Sequence, residues 1–124
     1  MKLRCVQDSI RLRVRKTDLQ KLEREGLVRE SIDFGGGMSF VFALAVGADV
    51  DAVNAVYENG QLQVNIPLLK AKKWMDSNEV GIEVAAAEGQ PHILIEKDFP
   101  CLDRAEENKA DTFWELTGEK PEQC

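Results

Sequence analysis

The sequence predicts an α+β fold, mostly β, in which two β-β-α-β-β repeats share one core. Short runs of alternating apolar and polar residues are typical of strands that bury one face of a sheet. Turn signals separate these runs, and Asn59-Gly60 is the strongest two-residue hairpin signal among them. The order of turn, strand and helix then recurs 52 positions further along the chain, for example from Val14 to Ile66. These three observations predict a duplicated fold.

The chain begins with a basic hairpin. Residues 1–6 and 9–15 alternate with a period of two, and Gln7-Asp8 is the predicted turn between them. This register sets Cys5 opposite Ile10, with both side chains facing the core. We therefore expect Cys5 to be buried and chemically inert.

A short helix and a second hairpin complete the first repeat. Thr17 is a suitable N-cap with Gln20 at the capping-box position, and Gly26 ends the helix. Two strands follow, and Gly35-Gly36-Gly37 forms the turn between them. The apolar positions expected to face the core are Leu19, Leu22, Val28, Ile32, Phe34, Phe40, Phe42, Leu44 and Val46.

The second repeat has the same order of elements. Strands at 53–57 and 62–66 flank the Asn59-Gly60 turn, and Pro67 opens a helix at a position that proline favours. Two further strands flank a turn at Glu88-Gly89-Gln90. The expected buried side chains are Ala71, Trp74, Met75, Val80, Ile82, Val84, Ile93 and Ile95.

The two repeats, residues 1–47 and 53–97, should form a single domain. Each is too small to bury both its faces alone, so we expect them to share one core as a pseudo-twofold small barrel. Residues 98–124 break the pattern and form an acidic C-terminal tail. The apolar cluster of this tail, Phe113, Trp114 and Leu116, is expected to pack back onto the domain. A docking segment for a partner and a cover over the basic hairpin are the alternatives.

The second repeat resembles the swapped-hairpin unit of AbrB/MazE-type proteins. It has that unit's small hairpin turn, a strand ending in Ile66-Pro67 and a short helix. An acidic-Val strand at Glu79-Val80 and a closing strand at 93–96 follow. The first repeat departs from the pattern, with Lys16-Thr17 in place of the proline. Because that family pairs two units as a dimer, the resemblance implies that this chain carries both units in one polypeptide. It also implies a swapped-hairpin-like fold as the alternative to a small barrel.

The whole chain also resembles small bacterial proteins of unassigned function. The shared segments are SIRLRVRK near the start and EKDFPCL before the tail. This likeness implies no activity.

Composition limits the classes of function. The net charge is −6, but residues 1–25 carry +4 and the remaining residues −10. A globally acidic chain is a poor nucleic-acid binder, although a local basic patch can still bind. No apolar run approaches the roughly eighteen residues of a membrane span, and no signal peptide is recognisable. The three widely spaced cysteines form neither a disulfide framework nor a zinc site, which indicates a cytoplasmic protein.

The basic face of the first hairpin is the candidate binding site. Like charges opposite each other on a sheet need a compensating partner, which is either an anion such as nucleic acid or the protein's own carboxylates. Glu30, Glu58, Glu96 and the acidic tail are the internal candidates, and we favour this second reading. In AbrB-type dimers the DNA-contacting surface is this hairpin region, but the second repeat has Asn54, Val56, Gln63 and Asn65 there. The candidate residues are Lys2, Arg4, Arg11, Arg13, Arg15 and Lys16.

No catalytic residue, metal ligand or cofactor is predicted. His92 is the only histidine, so neither a Ser-His-Asp nor a Cys-His arrangement is available. Gly35-Gly36-Gly37 lies between two strands and lacks the helix N-terminus of a phosphate loop. Four carboxylates are candidates for an acid–base pair, but their spacing fits solvent-facing strand positions equally well: Glu79, Glu83, Glu96 and Asp98.

The sequence therefore favours a non-enzymatic cytoplasmic domain that binds a macromolecular partner, with a protein as the first choice. The alternatives are an AbrB-like DNA-binding regulator or antitoxin module, and an enzyme or binder of a small anion that uses the arginines. No membrane association is predicted. The oligomeric state is left open, and a monomer is consistent with two repeats forming a pseudo-dimer.

Overall fold

The computed structural model of the protein describes residues 1–99, 111, 113–116 and 118. This part of the chain is mostly β, as predicted, and a short 3-10 helix spans Trp114–Leu116. Its strands and helices are β1 (Lys2–Val6), β2 (Ser9–Val14), α1 (Lys16–Glu25), β3 (Leu27–Gly35), β4 (Met38–Gly47), β5 (Asn54–Glu58), β6 (Gln61–Pro67), α2 (Leu68–Met75), β7 (Gly81–Val84) and β8 (His92–Lys97).

The described strands form two four-stranded sheets. The first sheet has the order β1-β2-β8-β7 and the second has the order β3-β4-β6-β5. In each sheet the two central strands run parallel, and each outer strand is antiparallel to its neighbour. The first hairpin of the chain thus pairs with the last, and the second pairs with the third. The predicted small barrel is wrong, because among the described strands each sheet keeps two unpaired edges and does not close.

The predicted turns of both two-residue hairpins are confirmed. Asn59 and Gly60 have φ angles of 51° and 74°, and Gln7 has a φ of 50°. Positive φ matches the twist of the flanking strands in such turns, which explains the value of an Asn-Gly pair at this position. A Cβ atom added to Gly60 would lie 3.0 Å from the carbonyl oxygen of Ser39, so the neighbouring strand also limits this position to glycine.

The first helix begins earlier than predicted. Its N-cap is Arg15 instead of Thr17, and Asp18 instead of Gln20 completes the capping box. The Arg15 backbone N–H donates to Asp18 Oδ2 at 3.0 Å, which fixes the start of α1. Gly26 ends the helix as expected, with a φ of 74°.

One hydrophobic core joins both sheets and both helices. Trp74 lies at its centre without solvent exposure, and its indole N–H donates to the Val80 carbonyl oxygen at 3.1 Å. Other buried members come from β2, β3, β4, β6, β7, β8 and both helices, which accounts for the alternating pattern of the sequence. They include Ile10, Leu12, Val14, Leu22, Val28, Leu44, Val64, Ile66, Ala71, Ile82, Ile93 and Ile95.

Four side chains expected in the core are exposed instead, and one of them, Val80, lies just before β7 and is 44% exposed. Cys5 lies in the outer strand β1 next to the turn, where the core ends. Ile32 and Phe34 are 48% and 69% exposed. The reason is strand length, since β3 and β4 have 9 and 10 residues while β7 and β8 have 4 and 6. The β3–β4 hairpin therefore continues beyond the shared core.

The C-terminal tail is described only in part. Phe113 and Leu116 are 77% and 81% exposed, so the expectation that these two side chains pack back onto the domain is wrong. The Trp114 side chain, Cys101, Cys124 and most other tail residues lie outside the described residues. In the part of the chain that is described, no helix is long and apolar enough to cross a membrane.

Candidate functional site

The basic hairpin places a row of cations on the outer face of the first sheet. Cross-strand pairing sets Lys2 opposite Arg13 and Arg4 opposite Arg11, as predicted. Their neighbours in the alternation, such as Leu12, face the core, so these four side chains face away from it.

Carboxylates of the protein lie against this row. Arg11 Nε is 2.7 Å from Glu96 Oε1, and Arg13 Nε is 3.8 Å from the same oxygen. Arg13 also pairs with Asp98 and donates to the Phe99 carbonyl oxygen at 2.8 Å. Arg11 is only 8% exposed. Buried charges in proteins are paired, and Glu96 on β8 and Asp98 just after it supply the partners here.

The remaining cations of the row are more open. Lys2 and Arg4 are exposed, and Lys2 Nζ lies 3.1 Å from Asp98 Oδ2. Of the carboxylates proposed from the sequence as internal partners, Glu96 and Asp98, the first residue of the acidic tail, occupy that role. Glu58 lies instead on β5 in the second sheet, and Glu30 contacts the N-terminal amine.

Arg15 and Lys16 do not continue the row, because the chain turns there into α1. Arg15 Nε donates to Asp18 Oδ2 at 3.1 Å, and the Met1 amine lies 2.8 Å from that oxygen and 3.5 Å from Glu30 Oε1. Burial raises the pKa of Asp18, but hydrogen bonds from Arg15 and the N-terminal ammonium outweigh it and lower the pKa to about 2. The same hydrogen bond raises the pKa of Arg15.

The other candidate groups do not converge on a reaction centre. His92 Nε2 lies 2.6 Å from Glu83 Oε2 at the surface, and Lys73 Nζ lies 3.6 Å from Glu79 Oε1. Among the described residues, no group of three or more His, Cys, Asp or Glu side chains is placed to hold a metal ion. The geometry of these pairs is that of ordinary surface ion pairs.

The triglycine segment is a hairpin turn, as predicted. It joins β3 to β4, and Gly35, Gly36 and Gly37 have φ angles of 82°, 61° and 79°. A register shift between Asp33 and Gly35 marks a β-bulge just before the turn.

The outer face of the second sheet is polar and shallow. Gln63 Nε2 donates to Asn65 Oδ1 at 2.7 Å, and Asn65 Nδ2 donates to Asn54 Oδ1 at 2.8 Å. Beside these amides, Val41 and Ala43 line a trough of about 250 Å³. The outer face of β5 and β6 thus carries the mutually bonded amides Asn54, Gln63 and Asn65, whereas that of β1 and β2 carries cations.

An apolar patch on the β3–β4 hairpin is a feature that sequence reasoning missed. Its members lie on the core-facing side of the second sheet but beyond the core: Ile32, Met38, Phe40 and Tyr57, with Phe34 in the adjacent bulge. Met38 and Tyr57 are each 68% exposed, while Phe40 is partly buried against Phe42, with ring centroids 6.1 Å apart. The sequence contains one signal for this patch, since the alternating apolar positions of the last two strands span more residues in the first repeat (28–46) than in the second (80–95).

The stretch of chain that carries this apolar patch has acidic residues and no basic ones. Residues 30–69 contain five Asp or Glu residues and no Lys or Arg. Asp33 lies on β3 beside the patch and Glu58 directly follows Tyr57, and both are exposed. Asp33 Oδ1 also accepts a hydrogen bond from the Gly35 N–H at 2.9 Å. Asp33 and Glu58 alternate with Ile32 and Tyr57 and therefore lie on the opposite face of the sheet, so the stretch that carries the apolar patch places negative charge near it and no cation.

A family model described as a family of unknown function (DUF7009) matches residues 1–116. Searches of curated proteins and of solved structures give no significant match. The family match agrees with the likeness to small proteins of unassigned function, whereas the AbrB/MazE resemblance stays a prediction.

Proposed function

The chain belongs to this family of unknown function, and we propose that it acts by binding a protein partner through the apolar patch on the β3–β4 hairpin. The observation that carries the proposal is the exposure of four large apolar side chains at one end of one sheet, Ile32, Phe34, Met38 and Tyr57. Single exposed apolar residues are normal, but contiguous apolar surface marks interaction sites.

The chemistry of the partner follows from the charges around the apolar patch. Because the stretch 30–69, which carries the whole apolar patch, has five carboxylates and no cation, the fitting surface is apolar and flanked by Lys or Arg. Complementary charge at the rim of an interface increases the association rate and disfavours wrong partners. A nucleic acid is excluded from this surface by the same negative charge.

The test begins with a photo-crosslinking amino acid at Met38 in the full chain, with an equally open control position at Leu69 on α2, which is 80% exposed. A partner crosslinked from Met38 and not from Leu69 is then purified, and its affinity is measured by calorimetry. We expect Met38→Ser and Tyr57→Ser each to weaken binding about tenfold, as for contacts near the centre of an interface, and Leu69→Ser to leave it unchanged. Equal crosslinking from both positions would contradict the proposal.

A second candidate is DNA binding through the outer face of the first sheet, as in an AbrB-like regulator. Its support is the exposed pair of Lys2 and Arg4 on a hairpin at a sheet edge. The carboxylate partners of Arg11 and Arg13 weigh against it. This candidate expects affinity for duplex DNA that falls steeply with salt, with a shallower slope in Arg4→Ala. No binding at low salt would eliminate it.

We also propose that the fold arose by duplication of a swapped-hairpin unit. Matching hydrogen bonds in the two sheets support this. The His92 N–H donates to the Asp8 carbonyl at 2.8 Å, and the Val41 N–H donates to the Gly60 carbonyl at 3.0 Å. Each bond joins the residue at which the parallel pairing of the central strands begins to the turn of a hairpin. Each sheet also consists of the first two strands of one repeat and the last two strands of the other, in the same order. The difference in residue number between equivalent positions of the two repeats is not constant, because the segment between α2 and β7 is longer than the segment between α1 and β3.

A further inference from the structure

We propose that the free edge of β3 pairs with β3 of a second copy of this chain, antiparallel and centred on Ser31, to give a twofold-symmetric dimer. β3 is an outer strand of the second sheet with 9 residues, the longest outer strand among those described. Residues 27–33 pair with β4 without interruption, so this part of the edge is regular. An edge of this length presents a row of backbone groups that another strand can bind.

The charges on β3 select the register. Arg29, Ser31 and Asp33 alternate along the outer face of the sheet, and all three are exposed. Pairing centred on Ser31 sets Arg29 of each copy opposite Asp33 of the other, so two opposite-charge pairs form across the axis. Centring on Arg29, Glu30 or Asp33 would set identical charges opposite each other. Self-complementarity of this kind is what a twofold interface requires.

The contacts of the Arg29 and Asp33 side chains support this register. Within the described part of the chain, Arg29 forms no ion pair, and its cross-strand neighbour is the small residue Ala43. Asp33 accepts one hydrogen bond, from the Gly35 N–H to Oδ1, which leaves Oδ2 for a cation. An exposed arginine beside a small neighbour has room to reach across to a strand of the second copy.

This dimer goes beyond the proposed function, because it uses the edge of β3 whereas partner binding uses the apolar patch. Either proposal can fail without the other. A dimer through this edge leaves Met38 and Tyr57 open, so the two sites are compatible on one molecule.

The test is sedimentation velocity of the full chain over a concentration series, with a charge-swap cycle. We expect concentration-dependent dimerisation of the wild type. Arg29→Asp and Asp33→Arg each set like charges opposite each other twice, so each should weaken dimerisation by about tenfold or more. The double variant Arg29→Asp/Asp33→Arg restores opposite charges in the same register and should recover the wild-type affinity. Because both positions are exposed, these variants are expected to fold, which circular dichroism checks.

Three results would overturn the proposal. The first is a wild type that stays monomeric over the whole series. The second is dimerisation that the single swaps leave unchanged, which would assign the contact to another surface. The third is a double variant no better than the single ones, which would show that Arg29 and Asp33 do not face each other. A matched swap at the exposed helical pair Arg24→Glu/Glu25→Arg is expected to have no effect.

Discussion

Replacing Asp18 by Asn tests the ionic cluster that joins the start of the chain to α1. The carboxylate is 6% exposed, lies 2.8 Å from the Met1 amine, and accepts hydrogen bonds from both the backbone and the side chain of Arg15. The amide keeps the shape of the carboxylate but removes its charge. Of the ion-pair partners in the described part of the chain, Glu30, 3.5 Å away, then remains to balance the buried ammonium.

The magnitude follows from the pKa of Asp18, which falls from 3.8 to about 2 on folding. A difference of nearly two units corresponds to about 2 kcal/mol of stability above the unfolded-state pKa. We therefore expect Asp18→Asn to lower the free energy of unfolding by about 2 kcal/mol near neutral pH. The matched control is Glu25→Gln, whose only described partner is Arg24 on the exposed helix surface, and it should cost about 0–1 kcal/mol.

Urea unfolding followed by tryptophan fluorescence measures both variants across pH. The folded pKa lies below the unfolded one, so the stabilisation by Asp18 is present above pH 3.8 and is lost as the pH falls towards 2. The difference between wild type and Asp18→Asn should therefore shrink across this window. An equal stability of the two proteins at neutral pH, or a difference that does not change down to pH 2, would refute the reasoning.

Three further predictions concern the sheets. Glu96→Ala removes the carboxylate that lies 2.7 Å from the buried guanidinium of Arg11, and it should lower the free energy of unfolding in urea by about 3 kcal/mol. The control Glu79→Ala removes a surface ion pair and should lower it by less than about 1 kcal/mol. Equal losses would mean that Arg11 does not depend on Glu96. Gly60→Ala places a Cβ atom on a residue with a φ of 74°, 3.0 Å from a carbonyl oxygen. The melting temperature should therefore fall by an amount that corresponds to about 1 kcal/mol or more. An unchanged melting temperature would contradict a strained turn. A chain made of two copies of residues 48–97 should fold cooperatively if the duplication is correct, and a non-cooperative transition would count against it.

The local structure was predictable from the sequence, because turns and alternation act over a few residues. Gln7-Asp8 and Asn59-Gly60 set the hairpin registers, and Gly26 ends α1, all as predicted. The N-cap of α1 was predicted wrongly, since Thr17 has the better intrinsic propensity. Asp18 completes the capping box instead because its carboxylate also binds the N-terminal amine, a long-range contact that local patterns do not contain.

The candidate site depended more on tertiary structure. Alternation predicted Ile32 and Phe34 to face inward. Both side chains are exposed because the shorter strands β7 and β8 leave this end of the second sheet uncovered. The partners of the cationic row are Glu96 on β8 and Asp98 just after it, and both Glu96 and the acidic tail that begins at residue 98 were among the candidates that the sequence supplied. The position of the other candidate, Glu58, follows from the pairing of β5 with β6 in the opposite sheet. Sheet assignment is a non-local property, so composition and spacing do not determine it.

Hydrogen–deuterium exchange of the full chain, free and bound to the protein crosslinked from Met38, tests the central claim most directly. If the apolar patch binds the partner, amides of residues 31–40 and of Tyr57 become protected in the complex, while those of β1 and α2 keep their exchange rates. Protection of β1 and β2 without protection of the β3–β4 hairpin would contradict the account and assign partner binding to the basic face.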